Sequence, residues 1–189
     1  MKKIIIILTI LLSFTYKAQD IYPLNTYYED VPNYSYMKDL DNDLPPYIGT
    51  YKANYQGNEI TLIITKEDKY FYDYGPNDRK YYQDVLHIKY IVKNIASNTI
   101  LEDNINIAPK NTITSIRTNQ LDNNSLSFYY SGTRCMVGWG EIKLKKINDL
   151  QFNWSYYPNG VLLSNNDCPN SNTIKVYLPD TKNLVFTKQ

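Results

Sequence analysis

From Tyr47 to the C-terminus, apolar and polar residues alternate along the chain with a period of two. The alternation is clearest over residues 86–93, 125–130 and 150–156, where every second side chain is apolar or aromatic. Strict alternation over four to eight residues marks a strand with one buried face. The sequence therefore predicts an all-β domain over residues 47–189, and it places two final strands at 174–178 and 184–187.

The connections between these segments are short and polar, as at Gln56-Gly57-Asn58 and Asn148-Asp149. Short connections favour antiparallel neighbours, because parallel strands need crossovers of a dozen or more residues. About eight to ten strands fit into the domain, a number typical of a β-barrel or a β-sandwich. We expect an antiparallel meander that closes into a barrel, since closure removes exposed sheet edges. A β-sandwich is the alternative.

Residues 19–46 differ from the rest of the chain. Pro23, Pro32, Pro45 and Pro46 interrupt any regular element, and Tyr, Asp and Asn fill the intervals. We predict an extended arm that lies across the domain, with at most a helical turn at 36–40. Its tyrosines either attach the arm to the domain or, where exposed, contact a sugar or a protein surface; they are Tyr27, Tyr28, Tyr34 and Tyr36.

The first eighteen residues have the pattern of a secretory signal peptide. Lys2 and Lys3 precede an apolar run over 4–12, and Ala18 supplies the small residue before the cleavage point. The run is shorter than the roughly 20 apolar residues that span a bilayer. We therefore expect a protein that is exported to the periplasm, the outer-membrane surface or the extracellular space, without a transmembrane segment.

The chain contains two cysteines, Cys135 and Cys168. In an exported protein, two cysteines predict one disulfide. The strands that precede them are two apart in a meander and therefore run in the same direction. The loops that follow those strands then lie at the same end of the barrel, which supports the pairing.

Charge and composition argue against several classes of function. Lys and Arg number 20 against 19 Asp and Glu, so we expect no nucleic-acid partner. The single histidine, His87, excludes a site built on several imidazoles, and its place among lysines on a polar strand face predicts an exposed residue. No serine occupies a nucleophile-elbow pattern. We expect no catalytic residue and no cofactor.

Acidic residues give no clear site either. Asp39, Asp41 and Asp43 have the spacing that opens a calcium loop, but Leu44 stands where that loop needs glycine. A solvated turn is the simpler interpretation, so we expect no metal site. Paired carboxylates for glycoside hydrolysis depend on three-dimensional geometry and stay open as a remote alternative.

Aromatic residues on the apolar strand faces are the remaining candidates for binding. Tyr51, Phe152 and Trp154 are most simply core residues. In a hollow barrel, however, the same three side chains would supply apolar contacts to a small apolar or aromatic ligand.

Several segments resemble an uncharacterised family of exported proteins from flavobacteria and their relatives, catalogued as a domain of unknown function. The resemblance rests on PLNT at 23–26, SYMKDLDNDL at 35–44, PYIGTY at 46–51 and the ending at 178–189, together with Cys135 shortly before the strand at 142–147. It covers nearly the whole chain beyond the signal peptide. It implies export and no particular activity.

Gly49-Thr50-Tyr51 also resembles the Gly-x-Trp motif that opens the first strand of lipocalin-like barrels, with tyrosine in place of tryptophan. This second resemblance implies a lipocalin-like β-barrel. Small barrels of this kind either enclose a ligand or fill their interior with side chains.

Three hypotheses about function follow from these observations. The first is an exported, non-enzymatic binding module for a small apolar or aromatic ligand. The second is a structural or protein-interaction module at the cell surface that uses the tyrosine-rich arm. The third is a carboxylate-based hydrolase. The ligand or partner is unknown in each.

Overall fold

The computed structural model describes residues 19–73, 75–108, 112–119, 125–163 and 168–189, so the predicted signal peptide lies outside the described residues. Strands dominate them, and the helical segments among them are single 3-10 turns, as at Tyr28–Asp30 and Pro45–Tyr47. The all-β prediction is confirmed. The strands are β1 (Ile21–Pro23), β2 (Tyr36–Lys38), β3 (Gly49–Tyr55), β4 (Asn58–Asp73), β5 (Lys80–Asn94), β6 (Ile100–Asp103), β7 (Ile113–Asn119), β8 (Ser125–Tyr130), β9 (Gly140–Asn148), β10 (Gln151–Pro158) and β11 (Leu184–Lys188).

Eight of these strands form a closed antiparallel barrel. Each pairs with the next in the order β3, β4, β5, β7, β8, β9, β10 and β11. The ring then closes where β11 pairs with β3 through Thr187–Lys52 and Lys188–Tyr51. The barrel strands follow chain order, so the predicted meander is confirmed and the sandwich alternative is wrong. A closed ring of eight antiparallel strands fits a lipocalin-like barrel.

β5 is the strand on which the remaining elements converge. One edge pairs with β4, and the other is divided along its length among three partners. β2 pairs with Tyr82 and Gln83, β7 with His87 and Ile88, and β6 with residues 91–93. The seam between β5 and β7 is therefore two residue pairs long in the described part of the chain. On the N-terminal side of the seam the two strands separate.

Side chains from the inward faces of the barrel strands pack its interior. At most 1% of each of these residues is exposed: Tyr51, Ile60, Leu62, Ile64, Leu86, Ile88, Val92, Leu126, Phe128, Ile142, Leu144, Phe152, Trp154 and Phe186. They occur at every second position because successive side chains of a strand point to opposite faces. The alternation in the sequence thus predicts this core well.

The arm lies across the hairpin formed by β4 and β5. Its β2 pairs in parallel with β5, and β1 pairs in parallel with β2, so residues 36–38, for which the sequence allows at most a helical turn, form a strand. The buried carboxylate of Asp84 joins the two parts: it accepts hydrogen bonds from the Tyr36 hydroxyl at 2.6 Å and from the backbone N–H groups of Asp39 and Lys69, each at 3.1 Å. A buried carboxylate that is fully hydrogen-bonded fixes the position of its donors.

Cys135 and Cys168 form a disulfide, as the sequence predicts. It connects the loop after β8 to the loop after β10, and Cys168 is fully buried. These two strands are two apart in the ring and run in the same direction, so their following loops do share one end of the barrel. The predicted strand at 174–178 is wrong, since those residues run as irregular chain beyond the disulfide.

Candidate functional site

A cleft lies outside the barrel, where β5 and β7 separate beyond their seam. It consists of three adjoining hollows of about 490, 420 and 540 Å³. The first two share Ile116, and the last two share Tyr28 and Tyr81. Hollows of this size are typical of ligand sites. We call it the tyrosine cleft. Its lining side chains are arm residues 25–29 and Met37, hairpin residues 70–73, 77–79, Tyr81 and Gln83, Thr112 before β7, Thr114 and 116–118 on β7, and Tyr129 and Ser131 at the end of β8.

A row of tyrosine rings forms one wall of the cleft. Tyr70 and Tyr72 are two residues apart on β4, and Tyr81 is the partner of Tyr72 on β5, so all three share one face of the hairpin. Their rings are in contact, with centroids 4.9 Å apart for Tyr70 and Tyr72 and 5.0 Å apart for Tyr72 and Tyr81. Tyr28 of the arm stacks on Tyr81 at 5.8 Å, and Tyr27 follows at 5.1 Å. The row therefore continues without a break from the arm to the hairpin.

Exposed tyrosine rings lie on both sides of Ile116 in the cleft. Tyr27 and Tyr28 are 54% and 38% exposed, and Tyr129 on the far side is 43% exposed. Between them lies Ile116, at a bulge where the pairing of β7 with β8 shifts register. Bulges commonly redirect a side chain beside a functional site. Tyr81, in contrast, is buried, and it supports Tyr28 from behind.

The polar base of the cleft is built around His87. Its Nδ1 lies 2.7 Å from Oγ1 of Thr112 and 3.1 Å from Oγ1 of Thr114, and both threonines line the cleft. Its Nε2 lies 3.1 Å from Oε2 of Glu67. The prediction that His87 is exposed is wrong, because the Tyr70 ring and the two threonines cover the strand face that alternation assigns to solvent.

Burial lowers the pKa of His87 below its usual value; Glu67 raises the same pKa, and Lys89 lowers it slightly further. The imidazole is therefore neutral at pH 7, with one nitrogen donating a hydrogen bond and the other accepting. A carboxylate can only accept, so Nε2 donates to Glu67, and Nδ1 accepts from a threonine hydroxyl. His87 thus sets the direction in which hydroxyls at the base of the cleft point.

Three charged groups along the cleft, Asp73, Arg79 and Arg117, have partners within the protein. Asp73 accepts from the Lys80 ammonium at 2.9 Å, and this hydrogen bond lowers the pKa of Asp73. Arg79 donates through Nη1 to the backbone carbonyl of Val31 at 2.8 Å, which ties the hairpin to the arm. Nη2 of Arg117 lies 3.9 Å from Glu141. The lining is thus mixed in charge, with no concentration of either sign.

The three interior residues singled out from the sequence lie together in the core. The rings of Tyr51 and Phe152 have their centroids 4.6 Å apart, Phe186 stacks on Phe152 at 5.6 Å, and Trp154 contacts Phe186 at 5.7 Å. The Trp154 indole N–H donates to the backbone carbonyl of Pro179 at 3.0 Å. All four side chains are fully shielded from solvent. A ligand role for Tyr51, Phe152 and Trp154 stays a prediction, and it requires these rings to separate.

The aspartates at 39–43 make local hydrogen bonds. Asp39 accepts from the backbone N–H groups of Asp43 at 2.8 Å and Leu44 at 3.2 Å, so it stabilises the turn that leads out of the arm. In the part of the chain that the structure describes, no group of three or more His, Cys, Asp or Glu residues could hold a metal ion. The described residues also include no helix long and apolar enough to cross a membrane.

The sequence points to the arm half of the cleft but not to the hairpin half. Tyr27 and Tyr28 are candidates from their place in the arm, whereas Tyr70, Tyr72 and Tyr81 do not differ in the sequence from other strand aromatics. The hairpin half depends on tertiary structure: β4 is 16 residues long and extends past a small barrel, so the tyrosines near its tip need another covering.

No curated protein and no solved structure matches the chain. A family model does match, over residues 1–189, and its description is a family of unknown function, DUF6705. This match covers every segment that carries the arm, the barrel and the tyrosine cleft. The chain therefore belongs to the DUF6705 family.

Proposed function

We propose that this chain is an exported, non-enzymatic binding module whose ligand occupies the tyrosine cleft. The observation that carries the proposal is the unbroken row of rings from Tyr27 to Tyr70, which borders a base of threonine hydroxyls. Apolar and aromatic walls with a few fixed polar groups are the usual composition of a ligand site. In this proposal the binding module uses the tyrosine-rich arm as one part of its ligand site.

The arm holds its part of the cleft in a fixed position. Asp84 anchors Tyr36, β2 pairs with β5, and Arg79 binds the carbonyl of Val31. Tyr28 is therefore held against Tyr81 before any ligand arrives. A site formed in advance avoids the entropic cost of ordering its side chains on binding.

Export is supported by the signal-peptide pattern at 1–18 and by the disulfide between Cys135 and Cys168. Structural disulfides persist in oxidising compartments and are rare in the cytosol. The proposed location is the periplasm, the outer-membrane surface or the extracellular space.

The outside of the barrel is a more accessible site than its interior. A ligand that contacted Tyr51, Phe152 and Trp154 would have to displace rings that have no solvent exposure and pack on one another or on Phe186. Opening such a core costs contacts throughout a close-packed interior. A ligand in the tyrosine cleft meets exposed rings and needs no such rearrangement.

The proposal can be tested by screening small uncharged fragments, such as phenol, benzyl alcohol and methyl glucoside, against the ¹⁵N-labelled protein by NMR. We expect chemical-shift changes to cluster at Tyr28, Thr114 and Tyr129. The double variant Tyr28→Ala, Tyr129→Ala should lose them. Tyr157→Ala is a matched control, because Tyr157 has the same 38% exposure as Tyr28 and does not line the cleft.

Changes that cluster around Tyr51 and Phe152 would favour the interior site instead. The absence of any cluster would contradict the binding-module proposal. Glu29 and Asp78 are two carboxylates that line one end of the cleft, so the samples should also be examined for cleavage of a bound glycoside. Glycoside cleavage by the wild type that is lost in the variant Glu29→Gln would favour the hydrolase alternative.

A further inference from the structure

The tyrosine cleft also carries information about the class of its ligand. We infer, resting on the proposed function, that the cleft binds an uncharged oligosaccharide chain. Sugar rings combine apolar C–H faces with rims of hydroxyl groups. A protein site for them needs exposed aromatic faces and, between these, side chains that both donate and accept hydrogen bonds.

Exposed tyrosine rings stand on both sides of Ile116. Tyr27 and Tyr28 lie on the arm side, where Tyr28 borders two of the hollows, and Tyr129 lies on the other side. Tyrosine suits this role because it offers an apolar ring and a hydroxyl in one rigid side chain. Two hollows that meet at Ile116 lie between these rings, and the third lies beyond Tyr28. Three hollows in a row fit a chain of several sugar units better than one compact molecule.

Amide and hydroxyl side chains lie between these rings. They are Asn25, Thr112, Thr114 and Ser131. Amide and hydroxyl groups match sugar hydroxyls, each of which donates one hydrogen bond and accepts others. The threonine hydroxyl that donates to Nδ1 of His87 presents only its oxygen to a ligand, which makes this part of the cleft directional.

The charges favour an uncharged saccharide over an acidic one. Glu29, Asp73 and Asp78 line the cleft against two arginines. Arg79 already donates to Val31, and Arg117 lies near Glu141. A uronate or a sulfated sugar would meet this balanced, slightly acidic lining without the surplus of cations that anion recognition requires.

The edge of β7 that faces the cleft argues against an extended peptide. Peptides commonly bind in clefts beside a sheet by adding a strand to its edge, which needs free backbone groups. On β7, the carbonyl of Ser115 accepts from the Tyr72 hydroxyl at 3.2 Å. The carbonyl of Ile116 accepts from the Gln83 amide at 3.3 Å. Two successive carbonyls are thus occupied, whereas a saccharide bound by side chains needs neither.

The test is calorimetric titration of the full exported chain with cellohexaose, xylohexaose, mannohexaose and maltohexaose, and with hexagalacturonate and an unstructured Tyr/Ser peptide as alternatives. We expect saturable binding of at least one of the four uncharged sugars. Tyr28→Ala and Tyr129→Ala should each weaken it by about tenfold or more, and Tyr157→Ala by less than about twofold. If Tyr28→Ala fails to fold, Tyr27→Ala tests the same end of the cleft.

The saccharide inference would be overturned if none of the four uncharged sugars bound. It would equally be overturned if hexagalacturonate or the peptide bound and no uncharged sugar did. Either result would leave the binding-module proposal standing if NMR fragments still cluster at the cleft. Equal loss of sugar affinity in Tyr157→Ala would show that the sugar binds elsewhere, which also overturns the inference.

Discussion

His87 and Thr112 are hydrogen-bonded at 2.7 Å across the short seam between β5 and β7. The adjoining backbone pair, His87 with Thr114, is one of the two residue pairs through which β5 and β7 meet. One imidazole therefore helps to close the barrel and also forms the polar base of the tyrosine cleft. The chemistry of the seam and that of the proposed site are inseparable for this reason.

The first prediction concerns the protonation of His87. Because burial lowers its pKa, we expect the imidazole to titrate below the ordinary value of about 6.5. The chain has a single histidine, so its ring proton signals can be followed by NMR without assignment. A midpoint at or above about 6.5 would mean that the Glu67 carboxylate outweighs burial.

A second prediction follows for stability against pH. The pKa of His87 is lower in the folded than in the unfolded chain, so its contribution is complete above about pH 6.5 and is lost as the pH falls through the folded pKa. We expect the free energy of unfolding of the wild type to fall more steeply below pH 6.5 than that of His87→Gln. Urea titrations at several pH values measure both, and parallel curves would contradict the prediction.

The third prediction concerns the anchor of the arm. Tyr36→Phe removes a 2.6 Å hydrogen bond to the buried Asp84 carboxylate, and we expect it to cost about 1.5–3 kcal/mol of stability. The arm should also become more sensitive to limited proteolysis. Tyr34→Phe is the control, since that ring is 57% exposed. Equal behaviour of the two variants would show that Asp84 does not hold the arm.

The fourth prediction concerns the disulfide. Cys135 and Cys168 are 33 residues apart, and closing a loop of that length stabilises a fold by about 3.5–4 kcal/mol in the chain-entropy estimate. We expect reduction to lower the urea midpoint of the wild type accordingly. The double variant Cys135→Ser, Cys168→Ala should resemble the reduced protein and should not respond to reductant.

The fifth prediction separates the core from the site. Phe152→Ala removes a fully buried ring that packs on Tyr51 and Phe186, and we expect a cost of about 3–5 kcal/mol. Provided the variant stays folded at low temperature, fragment shifts at the cleft should persist. Their loss, with the fold intact, would favour a ligand site inside the barrel.

Local alternation made the barrel predictable. Phe128, Leu144 and Trp154 are buried because period two fixes the face of a strand, and that information lies within a few residues of each position. Such information fails where distant segments cover an outward face, as Tyr70 and Thr112 do over His87. It therefore could not show that the histidine is buried.

Irregular segments also limit how much of the fold the sequence predicts. The predicted strand at 174–178 has buried or half-buried apolar residues at Val176 and Leu178, which pack against the core without pairing in a strand. Alternation reports burial of every second residue, whatever hydrogen bonds the backbone makes. The tyrosine cleft was predictable only in its arm half, because its hairpin half depends on where β5 leaves β7.

The buried bond between Tyr36 and Asp84 makes the cleft a composite of two segments far apart in sequence. A ligand that contacts both Tyr28 and Tyr129 gains affinity from the docked arm, and its binding in turn stabilises the arm against release. Thermodynamic linkage makes this exchange reciprocal, so a protease that trimmed the arm would abolish the site while leaving the barrel whole.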